Sequence, residues 1–262
     1  FQATLQVHMV ELSENMRKQQ RAALGCTEDA GTVATAMAAQ TPLRSTTFDV
    51  PVFWHHALQQ VPQDENIPIL AIGQEFLDAF PVHQFEYRKG AWKEKLVDVC
   101  KSAESDYHFR YVLSPSATPA VRALLSAVSG RGDAADMVAH AEGERMEVSP
   151  MALATCEAIG ARICRSGGAA LLIDYGENYT QGDSLRGFRK HQMVHALSNP
   201  GVTDVTVDVD FAACARAAAK RGAVAIGAIP QGEFLIRMGV VDRVQQLLAL
   251  KTTTDDAAVK ML

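Results

Sequence analysis

Three short apolar runs in this chain each lead into an acid, and this constrains the fold more than any other feature. Leu5 to Val10 runs into Glu11. Ile67 to Ile72 passes through Gly73 and Gln74 to Glu75, with Asp78 three residues on, and Ala169 to Ile173 runs into Asp174. Short, predominantly apolar runs bounded by Gly and polar residues read as buried strands, the pattern of a parallel sheet between helices. Parallel strands end on one edge, and open α/β sheets bind ligands there. The pattern predicts an α/β fold with a mostly parallel sheet and places the chemistry at strand ends.

The intervening helices carry their own start and stop signals. Ser13 is placed to cap a helix from Glu14 to Leu24 that stops at Gly25. Ser149-Pro150 opens a helix reaching Arg165 before Gly167-Gly168, and Asp210 caps one from Phe211 to Lys220 before Gly222. Thr118-Pro119 repeats the start for a helix to Ser129, with Gly130-Arg131-Gly132 as a breaker. Val50 to Trp54, Tyr107 to Val112, Glu144 to Val148 and Asp204 to Asp210 read as extended. Val82 to Lys89 and Glu94 to Val99 form a ribbon across Lys89-Gly90. Gln231 to Met238 and Val240 to Leu250 read as short helices. Thr27 to Thr47, rich in Ala and Thr, reads as an inserted loop.

Several function classes are set aside. A net charge of −5 and a pI near 5.9 argue against bulk nucleic-acid binding. No run of 18 apolar residues predicts a membrane span. The five cysteines form no C-x-x-C pair and read as buried reduced thiols. His191 and His195 fall at i, i+4 on a predicted helix but lack the acid of H-E-x-x-H, so no metal is assigned. G-x-S-x-G, Walker and kinase signatures are absent, as is G-x-G-x-x-G.

The remaining candidates each have two readings. Glu11 suits the acid that accepts hydrogen bonds from ribose hydroxyls, or an acid stabilised at a helix N-terminus. Glu75 and Asp78 suit a general base, a metal or a cationic substrate, or else a polar turn. Trp54, His55 and His56 suit contact with a base, or a core side chain beside surface ones. Arg186, Arg189, Lys190 and His191 suit an acidic partner or a solvated loop.

Longer motifs then resemble a known family. VHMVELSENMRKQQ (7–20), GQEFLDAFPVHQF (73–85), WKEKLV (92–97), GERMEVSP (143–150), AALLIDYG (169–176), SLRGFRKHQMVHALSNPGVTDVTVDVDF (184–211) and IPQGEFLIRMGVVDRV (229–244) occur in family order and cover nearly the whole chain. They closely resemble the MidA/complex I assembly factor 7 family of class I S-adenosylmethionine-dependent methyltransferases. The resemblance implies a Rossmann-like methyltransferase domain over 1–262, with the inserted loop at 27–47 and a family-specific ribbon and helical insertion at 82–150. It implies S-adenosylmethionine as cofactor and, in the mitochondrial matrix, methylation of an arginine on a subunit of respiratory complex I during assembly. By the same resemblance Glu11 holds the cofactor's ribose, Trp54 and His55 lie near its adenine, and Gln74, Glu75 and Asp78 sit beside the transferred methyl. Glu75 and Asp78 would be the catalytic pair. Asp174, Tyr175, Arg186 and His191 would wall the substrate side. Two departures stand out. Position 74 is Gln where the family usually has Asn, and the family's first strand and glycine-rich loop would lie before Phe1, which implies a longer natural protein. These departures leave open a second expectation, an inactive methyltransferase-like scaffold in a large mitochondrial assembly.

Overall fold

The computed structural model describes residues 5–26, 42–100, 107–125 and 140–249. The predicted helix beyond Leu125, the Gly130-Arg131-Gly132 turn and most of the 27–47 insertion lie outside them. The chain divides into two compact units, Phe1–Ile67 and Pro68–Leu262.

The first unit contains β1 (Val7–Val10), α1 (Glu14–Ala23), β2 (Leu43–Arg44) and β3 (Pro51–His55). β3 is the central strand, parallel to β1 and antiparallel to β2. Leu43 and Arg44, inside the stretch read as an insertion, are thus a short strand. The Ser13 hydroxyl accepts the Met16 N–H at 3.3 Å, and α1 gives way to Gly25 at φ +64°. Cys26, Val50 and Val52 form the core of this unit, with Met9, Leu24 and Trp54 packed on it.

The second unit begins with β4 (Ile69–Gln74). The ribbon strands β5 (His83–Arg88), β6 (Ala91–Val99), β7 (Phe109–Leu113) and β8 (Arg145–Val148) follow. Helix α2 (Pro150–Ser166) then leads to β9 (Gly168–Ile173), β10 (Gly176–Glu177), β11 (Arg186–Arg189), β12 (Gln192–Val194), β13 (Asp204–Thr206) and β14 (Val209–Asp210). The described part closes with α3 (Phe211–Ala219), α4 (Gln231–Arg237) and α5 (Val240–Ala249). β4 and β9 are parallel in register from Ile69 opposite Gly168 to Gln74 opposite Ile173. Gly168 is required there, because at φ +118° a Cβ would fall 1.9 Å from the Ile69 carbonyl oxygen.

Helix α2 starts as predicted: Ser149 Oγ accepts the Ala152 N–H at 3.3 Å, with Pro150 in the first turn. Asp210 caps α3 through the Ala213 N–H at 2.8 Å. The two helices touch backbone to backbone, since a Cβ on Gly160 would lie 2.7 Å from the Ala218 carbonyl oxygen. Leu77, Ala152, Cys156, Val209, Cys214 and Ala217 form the core between them and the sheet residues.

Among the described residues three strand pairs are parallel and six antiparallel. The strands that end in Glu11, Glu75 and Asp174 all belong to parallel pairs. Most antiparallel pairs come from the ribbon β7-β6-β5-β8 and the meander β12-β11-β13. The meander corrects one expectation. His191 and His195 are not on a helix: Lys190 and His191, at φ +50° and +59°, form the hairpin turn between β11 and β12, and His195 follows β12. No helix among the described residues is long and apolar enough to cross a membrane.

Candidate functional site

In the second unit the site is built at the carboxyl ends of β4 and β9. Beyond Gln74 the ladder continues for one more bond, from the Glu75 N–H to the Ile173 carbonyl at 2.8 Å. Glu75 itself sits at φ +48°, a left-handed conformation uncommon for a residue with a side chain. Such backbone strain, on the order of 1–3 kcal/mol, clusters at functional positions. Gln74 and Glu75 are both exposed.

The turn after Glu75 is held from β9. Asp174 Oδ2 accepts the N–H groups of Phe76 (3.2 Å), Leu77 (2.9 Å) and Asp78 (3.3 Å), and its Oδ1 accepts that of Tyr175 (2.9 Å). Asp174 therefore clamps the loop that presents Glu75. Burial, and then the nearby Asp78 carboxyl, push its pKa above the usual carboxylate range, while the N–H donors of Tyr175, Asp78 and Leu77 pull the other way. Close approach at the strand end needs Gly73, because a Cβ there would come within 2.3 Å of the Phe76 ring.

Asp78 does not join Glu75 in facing solvent, and this revises the expected carboxylate pair. Its side chain is buried, and Oδ2 accepts the Thr206 hydroxyl at 2.5 Å. The Asp78 carbonyl also accepts the Val207 N–H at 3.2 Å. The segment is a turn with a Phe80 N–H to Leu77 carbonyl bond, not a helix that would leave both acids on one open face. Thr206 escaped the sequence reading because DVTVDVD reads only as an extended segment, and nothing local in it marks a partner as far away in sequence as Asp78.

The other residues assigned to the substrate side differ among themselves. Tyr175 is exposed, and its carbonyl accepts the Val209 N–H at 2.8 Å. Arg186 is half-buried, paired with Asp208 at 2.7 Å and donating to the Ser184 carbonyl at 3.2 Å. His191 is exposed in its hairpin turn. A buried centre that the sequence did not flag lies behind Arg186: Glu147 accepts from Gln84 Nε2 at 2.6 Å and from the Ser184 hydroxyl at 2.5 Å, while Ser184 Oγ accepts the Asp208 N–H at 2.8 Å. The non-local pairing of β5 with β8 sets Gln84 opposite Glu147, and Ser184 and Asp208 join them from later in the chain.

In the first unit Glu11 directly follows β1, and its N–H donates to the His55 carbonyl at 3.0 Å. Its carboxylate takes the Ser13 N–H on Oε1 at 2.8 Å and Gln20 Nε2 on Oε2 at 3.5 Å. Each oxygen accepts one of these donors and keeps lone-pair capacity, so the group fits a ribose diol. The Trp54 indole N–H donates to Gln20 Oε1 at 3.0 Å, and the Arg21 guanidinium lies 5.7 Å from the indole centroid. His55 is buried and paired with His8, ring nitrogen to ring nitrogen at 2.9 Å. Burial and His55 together hold His8 below its usual pKa. Arg17, also buried, donates from Nε to the Glu11 carbonyl at 2.6 Å. Among the described residues no group of His, Cys, Asp and Glu is placed to hold a metal ion.

Comparison with known proteins gives concordant results. Residues 1–229 match the model of a family described as putative S-adenosyl-L-methionine-dependent methyltransferase. A rat mitochondrial protein arginine methyltransferase, NDUFAF7, is 34% identical over 245 residues, covering 93% of this chain and 51% of the rat protein. Its fruit-fly homolog from Drosophila melanogaster is 35% identical over 249 residues, covering 94% and 54%. A crystal structure of a Burkholderia thailandensis protein bound to S-adenosyl-homocysteine superposes with a TM-score of 0.62 at 25% identity, over 91% of this chain and 54% of that one. The chain spans about half the length of the curated relatives it matches.

Proposed function

The chain belongs to this S-adenosylmethionine-dependent methyltransferase family, and from that membership we propose that it serves methyl transfer from S-adenosylmethionine to an arginine of a protein substrate. The names of the rat and fly relatives support the arginine specificity and a mitochondrial setting; the matrix is proposed as the compartment from the sequence resemblance. A subunit of respiratory complex I is the proposed substrate, to which the sequence resemblance points.

The observation that carries the reading is Glu75, an exposed carboxylate in strained backbone at the end of a parallel strand. A guanidinium is protonated at neutral pH, planar and weakly nucleophilic. A carboxylate that accepts two of its N–H groups fixes its plane and draws positive charge away from the attacking nitrogen. When bound, the cofactor supplies an electrophilic methyl on a sulfonium. Glu75 orients the guanidinium for in-line attack and takes up the proton the nitrogen releases, directly or through water. Asp174 acts by holding the Glu75 loop, and Asp78 by tying that loop to Thr206. Neither needs to touch the substrate. In the first unit Glu11 accepts hydrogen bonds from the cofactor's ribose hydroxyls.

Methylarginine formation, read by mass spectrometry after incubation of the full natural protein with S-adenosylmethionine and mitochondrial protein, tests the proposal. Glu75→Gln keeps the shape but loses the charge, and methylation is expected to fall by about a hundredfold or more, in the range of losses for a general base. Normal methylation by a folded Glu75→Gln protein would remove Glu75 from the mechanism. The burial of Asp78 keeps one alternative open, a scaffold without catalysis, for which wild type and variant alike yield no methylarginine.

A further inference from the structure

We infer that Gln20 is a positioning residue for cofactor binding, a polar tie that holds the Glu11 carboxylate and the Trp54 indole in one arrangement. The inference rests on the reading of Glu11 as the ribose acid and adds to it a residue on a different element. Glu11 follows β1, Trp54 is in β3, and Gln20 projects from α1, one helix after Glu11.

The chemistry of the partners fixes how the amide must lie. An indole N–H is a donor only, so the Gln20 atom 3.0 Å from Trp54 Nε1 must be the carbonyl oxygen. The amide nitrogen is then turned to Glu11 Oε2, at 3.5 Å, where an ionised carboxylate requires a donor. Neither end can be exchanged without placing donor against donor and acceptor against acceptor. Gln20 therefore does something a residue of similar bulk cannot: it lets an indole donor and a carboxylate acceptor share one side chain. Its own helix is anchored to the same loop, through Arg17 Nε on the Glu11 carbonyl at 2.6 Å and Ser13 N–H on Glu11 Oε1 at 2.8 Å. With backbone and Oε1 already held, Gln20 takes the second oxygen, so that both ends of the carboxylate have a donor.

Two substitutions separate this role from packing. Gln20→Met keeps length and removes both polar atoms. Gln20→Glu keeps the acceptor for Trp54 but faces Glu11 with a second carboxylate. On protonation that Glu regains one donor and one acceptor, and so regains the pattern of the native amide. The charged and titratable groups around the tie are Arg17 beside Glu11, Arg21 over the indole with its partner Glu14 at 2.7 Å, the His8–His55 pair, and His56 at 3.5 Å from Arg17. All are unchanged in the variants, so wild type and Gln20→Met report their titration and the difference isolates position 20.

The experiment is calorimetric titration of the full natural protein with S-adenosylhomocysteine between pH 5 and pH 8. It is paired with the Trp54 indole N–H resonance followed over the same range without ligand. At pH 8 we expect both variants to bind about tenfold more weakly than wild type, the scale of one hydrogen bond to a charged group. As pH falls, Gln20→Glu regains affinity toward wild type while Gln20→Met does not, and the Trp54 resonance shows in Gln20→Glu a titration beyond the one that wild type and Gln20→Met share. Wild-type binding matched by both variants across the range overturns the role of Gln20 and leaves the cofactor reading intact. Absence of binding by wild type overturns the cofactor reading itself. A Trp54 resonance that titrates identically in all three proteins shows that Gln20 does not couple to the indole and also overturns the inference.

Discussion

At the scale of single residues, the site divides by burial rather than by residue type. Glu75 and Asp78 are three apart in sequence and both acidic, yet one is exposed in left-handed backbone and the other is buried on Thr206. The spacing told that two carboxylates follow β4, and Glu75 was legible for that reason. Which way each turns depends on a contact between residues 78 and 206, and no local pattern carries that information. Asp174 was legible as a strand-end acid, but its use is internal, because four backbone N–H groups converge on it. The buried bond predicts a stability effect away from any substrate. Thr206→Val keeps the shape but leaves the Asp78 carboxylate without its hydroxyl donor, and about 1.5–3 kcal/mol of unfolding free energy should be lost, the range for hydrogen bonds to charged groups. Urea unfolding of wild type and variant measures it, and an unchanged midpoint would mean that the bond contributes nothing.

At the scale of elements, helix starts and the hairpin of the ribbon were legible because their chemistry is local. Ser13, Ser149 and Asp210 all cap as the sequence predicts, and Lys89-Gly90, at φ +53° and +75°, makes the two-residue turn of the ribbon. The β11–β12 hairpin was missed for the matching physical reason. Its turn places Lys190 and His191 at positive φ without a glycine or asparagine to announce it, and the i, i+4 histidines then mimic a helix face. The contact between α2 and α3 also depends on one residue whose importance shows only in three dimensions. Gly160→Ala would set a methyl 2.7 Å from the Ala218 carbonyl oxygen, so the helices must separate. Overpacking of this kind costs about 1–3 kcal/mol, and thermal unfolding should show a lower midpoint while the far-ultraviolet helical signal is retained. An equal or higher midpoint would show that the interface relaxes freely.

At the scale of the molecule, the α/β class and the parallel strands that end in acids follow from the apolar runs. The division into Phe1–Ile67 and Pro68–Leu262 does not: Pro62 and Pro68 bracket the polar stretch before it, but Ile67 falls inside the run first read as one strand. Each unit carries its own part of the proposed chemistry, Glu11 with Gln20 and Trp54 in the first, Glu75 with its Asp174 clamp in the second. Family membership connects these parts to S-adenosylmethionine, and use of that cofactor is the central claim. A ligand that binds only the folded state raises stability by about 2.7 kcal/mol at a hundred times its Kd, or roughly 5–10 °C for a chain of this size. The most direct measurement is therefore the unfolding midpoint of the full natural protein across a concentration series of S-adenosylhomocysteine, beside a Glu11→Ala control. The account predicts a midpoint that climbs with the logarithm of ligand concentration in wild type and a much smaller rise in the control; a wild-type midpoint that stays constant into the millimolar range would contradict it.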